Sequence, residues 1–114
     1  MKYVVAVIQS HKFEDVRDAL LELGIDALIV AEIRRFGSHE AHKEIYRAAE
    51  YAVGFMPKTK IEFAVSDELA EKAVQTLRNA AVTGEVGDGR IYVFELSRTV
   101  QIRSGKTDAE VAAL

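Results

Sequence analysis

Two stretches of this chain carry the same order of patterns, and that duplication constrains the fold more than any other feature. In the first, Tyr3-Val4-Val5-Ala6-Val7-Ile8 is a short, largely β-branched run that reads as a buried strand. Phe13, Val16, Leu20 and Leu23 then recur at three- and four-residue spacing, the mark of an amphipathic helix. Ser10 is placed to cap that helix, Glu14 and Asp15 fall in its first turn, and Gly24 is placed to end it in a left-handed conformation. Ala27 to Phe36, with Leu28, Ile29, Val30 and Ile33, reads as a second strand. The second stretch repeats the order. Ile61, Phe63 and Val65 alternate with Lys60, Glu62 and Ala64, a strand with two different faces. Ser66 and Asp67 offer a cap, and Leu69, Ala70, Ala73, Val74, Leu77 and Ala80-Ala81 build a helix. After a glycine-rich turn, Ile91-Tyr92-Val93-Phe94 reads as a fourth strand.

Two strand–helix–strand halves with an antiparallel middle pair give an α+β, ferredoxin-like βαβ-βαβ sandwich, with both helices on one face of a single sheet. At 114 residues there is material for one such domain, spanning 1–114. Apolar residues occur on both sides of the strands, so the face away from the helices is expected to be buried in an oligomer.

Composition narrows the function. Fifteen Lys and Arg against eighteen Asp and Glu leave a net charge of -3, which argues against a general nucleic-acid binder, since that affinity rests on neutralising phosphates. The chain has no cysteine, which removes thiolate nucleophiles, disulfides and Cys-built metal centres and fits a reducing compartment. The apolar run at the N-terminus, Tyr3 to Ile8, is too short for a signal-peptide core or a membrane span. The reading is therefore a cytoplasmic protein with no direct membrane insertion. No serine stands in a G-x-S-x-G setting and no carboxylate pair is singled out, so a binding module is expected rather than an enzyme.

Two segments carry the candidate chemistry. Residues 37–56 form a connection of about twenty residues, long against the usual ~4–6, and such connections are commonly functional. His39 and His42 lie three apart there beside Glu40 and Glu44, a pattern that suits either a metal site or a solvated polar loop. Tyr46 and Tyr51 are partner contacts, modification sites or packing residues. Thr83-Gly84-Glu85-Val86-Gly87-Asp88-Gly89-Arg90 is the strongest signal: close glycines can turn N–H groups toward an anion, and the following arginine supplies a forked charge. The same glycines also suit a plain tight turn into a strand. Lys58 and Lys60 could meet an anion or protect an exposed sheet edge.

These residues together resemble the PII signal-transduction proteins of nitrogen regulation, over essentially the full length. Asp15-Val16-Arg17-Asp18-Ala19-Leu20 is similar to the family's first helix. Phe36-Gly37, Tyr46-Arg47-Ala48-Ala49-Glu50-Tyr51 and Pro57-Lys58-Thr59-Lys60-Ile61-Glu62 resemble the start, middle and exit of its T-loop, here about 37–56. Residues 83–91 resemble its B-loop signature, within a loop of about 82–90, and Ile102-Arg103-Ser104-Gly105 its C-terminal loop, about 97–114. The resemblance implies a non-catalytic homotrimer that binds ATP or ADP in clefts between subunits and regulates a membrane transporter or a metabolic enzyme through the T-loop. In typical members Mg²⁺-ATP supports 2-oxoglutarate binding. By the same resemblance Gly37, Glu62, Gly87, Asp88, Gly89, Arg90 and Arg103 match nucleotide-site positions, and Ser38 and Ala64 sit beside them. Lys58 matches the lysine that pairs with the 2-oxoglutarate carboxylate, and Tyr51 the tyrosine uridylylated in some bacteria. A metal-handling role through His39 and His42 is the alternative, since some divergent members look associated with metal efflux.

The departures from the family pattern carry charge. His39 stands where typical members have a glutamine that helps hold Mg²⁺-ATP and 2-oxoglutarate, Ser38 and Gln101 stand for arginines, and Glu85 stands for a lysine. Ala48 and Arg35 replace glycines, the latter beside the adenine pocket. Each lost charge-assisted hydrogen bond costs ~1.5–3 kcal/mol, offset in part by Arg35. The expectation is weakened 2-oxoglutarate sensing, with ADP, AMP or another anion as preferred ligand.

Overall fold

The structure, a computed structural model, describes residues 1–36 and 55–107. The strands are β1 (Lys2–Ile8), β2 (Ile29–Phe36), β3 (Phe55–Val65) and β4 (Gly89–Glu95), and the helices are α1 (Phe13–Glu22) and α2 (Asp67–Ala81). They form one four-stranded sheet of order β2-β3-β1-β4 in which every neighbouring pair is antiparallel. That is the expected ferredoxin-like arrangement, with the two helices packed on each other and on one face of the sheet.

The alternation of the strands sets which residues lie inside. Val4, Ala6 and Ile8 of β1 and Ile61, Phe63 and Val65 of β3 point to the helices, where Val16, Leu20, Ala70, Ala73, Leu77 and Ala81 close the core. By register, the opposite, open face carries Tyr3, Val5 and Val7 of β1, Lys60, Glu62 and Ala64 of β3, Ile29, Ala31, Ile33 and Arg35 of β2, and Arg90, Tyr92 and Phe94 of β4. Ile29, Tyr92 and Phe94 are exposed on its edge strands, while the central β3 contributes the Lys60–Glu62 ion pair. Among the described residues no helix is long and apolar enough to cross a membrane.

Local signals mostly act as read. Ser66 caps α2, its hydroxyl accepting from the Leu69 amide at 3.3 Å, and Gly24 follows α1 at φ +88°. Ser10 behaves differently. It opens a 3₁₀ turn, Ser10–Lys12, and the N-cap of α1 is Lys12, with no side-chain cap bond. The Ser10 hydroxyl is held instead by the buried hydroxyl of Thr59, 2.9 Å away, which also lies 3.3 Å from the Glu32 carboxylate. A buried hydroxyl needs partners more than an exposed helix end needs a cap.

β3 is longer than its alternation implied. It starts at Phe55 and runs through Pro57, which pairs with Arg34 of β2. Pro57 is tolerated because β1 ends at the Ile8–Thr59 pair, so the strand has a neighbour on one side only there. Lys58, on the same one-sided stretch and paired with Ile33 of β2, is nevertheless buried and so guards no exposed edge.

Gly89 starts β4 at φ +108°, and a Cβ there would stand 1.8 Å from the Val7 carbonyl oxygen. The β1–β4 pairing therefore depends on that missing side chain. Gly89→Ala is expected to cost about 2–5 kcal/mol, from the left-handed backbone plus the forced shift. Gly84→Ala, at φ +91° but with open space around it, should cost only about 1–2 kcal/mol. Urea unfolding of the two variants checks this ordering.

Candidate functional site

The loop between α2 and β4 is organised by one carboxylate. Asp88 turns back into its own loop: Oδ2 accepts from the Thr83 amide at 2.8 Å and the Gly84 amide at 2.9 Å. Oδ1 accepts from the Thr83 hydroxyl and, at 2.9 Å, from Nε2 of Gln9 just beyond β1. Gln9 Oε1 in turn lies 2.8 Å from His11 Nε2, so the loop is tied to the entry of α1. The Thr83 hydroxyl and amide, with the Gly84 amide and Gln9, hold the Asp88 carboxyl at about 2, against an ordinary 3.8.

A second tie comes from the sheet. The Lys58 ammonium, buried in β3, donates to the Gly87 carbonyl at 2.7 Å. A buried ammonium requires such an acceptor, and the bond draws the loop over the open face of the sheet. The sequence reading placed Lys58 against a carboxylate ligand; in this state its ammonium holds the loop.

Two clefts flank the start of β4. One, of about 390 Å³, lies between Leu77, Arg78, Ala81 and Val82 of the α2 end and Val7, Ile8, Asp88, Gly89, Arg90 and Ile91. Its walls are mainly apolar and include the Asp88 carboxylate. The other, of about 530 Å³, is lined by Val7, Ile33, Arg34, Arg35, Val86, Gly87, Gly89, Arg90 and Tyr92. Three arginines line the second cleft, no carboxylate is among its described lining residues, and Gly87 and Gly89 both have positive φ. The second cleft is the one suited to an anion.

The expected site residues divide accordingly. Gly87, Gly89 and Arg90 meet at the second cleft, Gly89 and Arg90 bordering the first as well, and Asp88 and Lys58 shape the loop beside them. Glu62 and Ala64 share the open face but lie farther along β3, where the Tyr3 hydroxyl donates to Glu62 Oε1 at 3.1 Å and Lys60 Nζ stands 3.5 Å from Oε2. That contact and the loss of water around it raise the Tyr3 phenol above its ordinary value, loss of water being the larger cause. Arg103 lies beyond β4 in a turn closed by Gln101 N to Lys106 O, 2.8 Å, and lines neither cleft. Gly37, Ser38, His39, His42 and Tyr51 lie outside the described residues, as do residues 108–114. Among the described residues no group of three His, Cys, Asp or Glu side chains is placed to hold a metal ion. Arg34, Val86, Tyr92 and Gln9 were not expected as site residues; only sheet register and the fold-back of the loop bring them in.

Because the Asp88 carboxyl is depressed in the folded state, its contribution to loop stability is full above about 4 and lost as pH falls through about 2. An NMR carboxyl titration should give Asp88 a midpoint near 2, and Asp88→Asn should abolish the accompanying shifts at the Thr83 and Gly84 amides. An ordinary midpoint near 4 would contradict the clamp.

Comparison with known proteins agrees with the fold and extends it. The family profile described as nitrogen regulatory protein P-II matches residues 1–106. The nitrogen regulatory protein P-II of Rhizobium etli is 47% identical over 110 residues, covering 96% of this chain and 98% of that protein. Nitrogen regulatory protein P-II 1 of Escherichia coli K12 is 45% identical over 108 residues, covering 95% and 96%. Among solved structures, Arabidopsis thaliana PII bound to citrate superposes with a TM-score of 0.79 at 26% identity, covering 99% of this chain and 90% of that one. With a profile match over nearly the whole chain and relatives near half identical, this chain belongs to the P-II family of nitrogen regulatory proteins.

Proposed function

We propose that this chain is a non-catalytic signalling protein that binds an adenine nucleotide, ATP or ADP and with them AMP, at the cleft beneath its 82–90 loop. The observation that carries the reading is the lining of that cleft: three arginines, two glycines of positive φ and no carboxylate among the described residues. Its mix of cationic walls with Val7, Ile33, Val86 and Tyr92 suits a ligand with an anionic part and an apolar part. The relative crystallised with citrate, a polyanion, supports the same class of ligand.

The open sheet face supports a homotrimer. Its exposed apolar residues Ile29, Tyr92 and Phe94, on the two edge strands, are what a second and third copy would cover. In that assembly Arg103, which lines neither cleft of its own chain, is supplied to a neighbour's nucleotide, and Glu62 and Ala64 complete the pocket between copies. Residues 37–56 then act as the T-loop, carrying the nucleotide state to a target protein, a transporter or an enzyme of nitrogen or carbon metabolism. Gly37 and Ser38 would border the nucleotide, and Tyr51 would be the position open to modification. The cytoplasm is the compartment where both nucleotide and target are met. Ser38, His39, Glu85 and Gln101 weaken any further hold on Mg²⁺ and 2-oxoglutarate, so the nucleotide itself is the message.

Isothermal calorimetry on the full chain with ATP, ADP and AMP, with and without Mg²⁺ and 2-oxoglutarate, tests this directly. Nucleotide binding is expected, with no added heat from 2-oxoglutarate. Arg90→Ala should weaken ATP by roughly ten- to hundredfold without lowering the melting temperature. Silence with every nucleotide would overturn the reading. Light scattering that finds a monomer would overturn the trimer.

A further inference from the structure

The hydrogen bonds that lead away from Asp88 have a direction. β1 and β4 pair as far as Ile8 and Gly89, so Gln9 and Asp88 stand opposite each other one step beyond the last rung. An ionised carboxylate only accepts, and Oδ2 of Asp88 is taken by the Thr83 and Gly84 amides. Gln9 therefore presents its amide nitrogen to Oδ1, at 2.9 Å. That leaves the Gln9 oxygen for His11, 2.8 Å away, so the His11 ring carries a hydrogen on Nε2. A primary amide has one donor end and one acceptor end, and here each end meets its complement. Gln9 is half-buried and His11 exposed, so the chain of bonds leads from the surface at the entry of α1 into the loop.

We infer that Gln9 is a positioning residue for the anion cleft: its amide nitrogen fixes the Asp88 carboxylate, and with it the loop backbone on either side. Asp88 lies between Gly87 and Gly89, which line the second cleft. Gln9 lines neither cleft, so its effect on a ligand passes through Asp88. The ligand's identity rests on the proposed nucleotide reading, whereas the donor–acceptor logic concerns the loop alone. Reversing the polarity of the pair separates the two. Gln9→Glu is nearly isosteric, yet it removes the donor and sets a second carboxylate against Asp88. Adding Asp88→Asn turns the pair round: the side chain at 88 keeps its oxygen for the two loop amides and points its nitrogen at the carboxylate at 9. Its second hydrogen suits the Thr83 hydroxyl, which can accept as well as donate. The double variant has the parent's net charge, so a loss that it repairs comes from the pairing and not from the field.

The test is calorimetry on the full-length protein with ATP and inorganic triphosphate, together with an NMR titration of the Asp88 carboxyl. Gln9→Glu should weaken both ligands about tenfold and move the Asp88 midpoint up from about 2. Gln9→Glu combined with Asp88→Asn should return to within about threefold of the parent, with the Thr83 and Gly84 amide signals back near their parent positions. Where Gln9→Glu does not fold, Gln9→Ala takes its place, with a loss of about threefold and a smaller rise of the midpoint. An unmoved Asp88 midpoint or unchanged affinity in Gln9→Glu would overturn the inference while leaving the nucleotide reading intact. A double variant no better than Gln9→Glu alone would overturn it too, since position 9 would then act by its own charge. If the parent binds neither ligand, the nucleotide reading falls, and the inference stands or falls on the Asp88 midpoint and the amide signals.

Discussion

The site depends on a loop that would have no fixed shape without two buried or inward-turned charges. Asp88 gathers two backbone amides, a hydroxyl and the Gln9 amide onto one carboxylate, and Lys58 pulls the Gly87 carbonyl down onto the sheet. Neither charge is left over for a ligand in this state. Their use inside the loop fixes the segment whose Gly87 and Gly89 line the cleft with the three arginines. The opposite allocation, with Asp88 turned outward, would place a negative charge beside three arginines and cancel their field.

The two faces of the sheet have different tasks. The helix side is a closed apolar core in which Val4, Ala6, Val16, Leu20, Ile61, Ala73 and Leu77 are wholly excluded from water, and it fixes the strand register. Register then decides that Arg35, Glu62 and Arg90 share the opposite face. A shift of one residue would send each of them to the core side, so the core packing and the cleft chemistry are one constraint. The close contact of Gly89 with Val7 pins that register at the point where the loop enters β4.

Much of this was legible in the sequence because the signals were redundant. Period-two runs, heptad-like helix stripes, Ser66 and Gly24 each pointed the same way, and the ferredoxin-like order followed. Ser10 misled because its local capping role competes with a tertiary one: Thr59, distant in sequence, needs its hydroxyl more. Pro57 read as a boundary because its acceptability inside β3 depends on where β1 stops, which no local pattern states. Gly87, Gly89 and Arg90 were found as an anion motif, since backbone conformation at glycine is a sequence-level property. The roles of Asp88 and Lys58 were not, because whether a charge faces a ligand or its own loop depends on a fold-back seen only in three dimensions. Arg35 was noticed as a substitution beside the adenine pocket, but its place in one cleft with Arg90 required the order of the strands.

The central claim is that the cleft on the open face, not the one beneath α2, receives the phosphates. A crystal structure of the protein grown with saturating ATP tests it most directly. The account predicts phosphate oxygens within hydrogen-bond distance of the Gly87 or Gly89 amides and of Arg90. Phosphates seated beside Arg78 and Val82, or the Asp88 carboxylate swung out of its loop to meet the ligand, would contradict it.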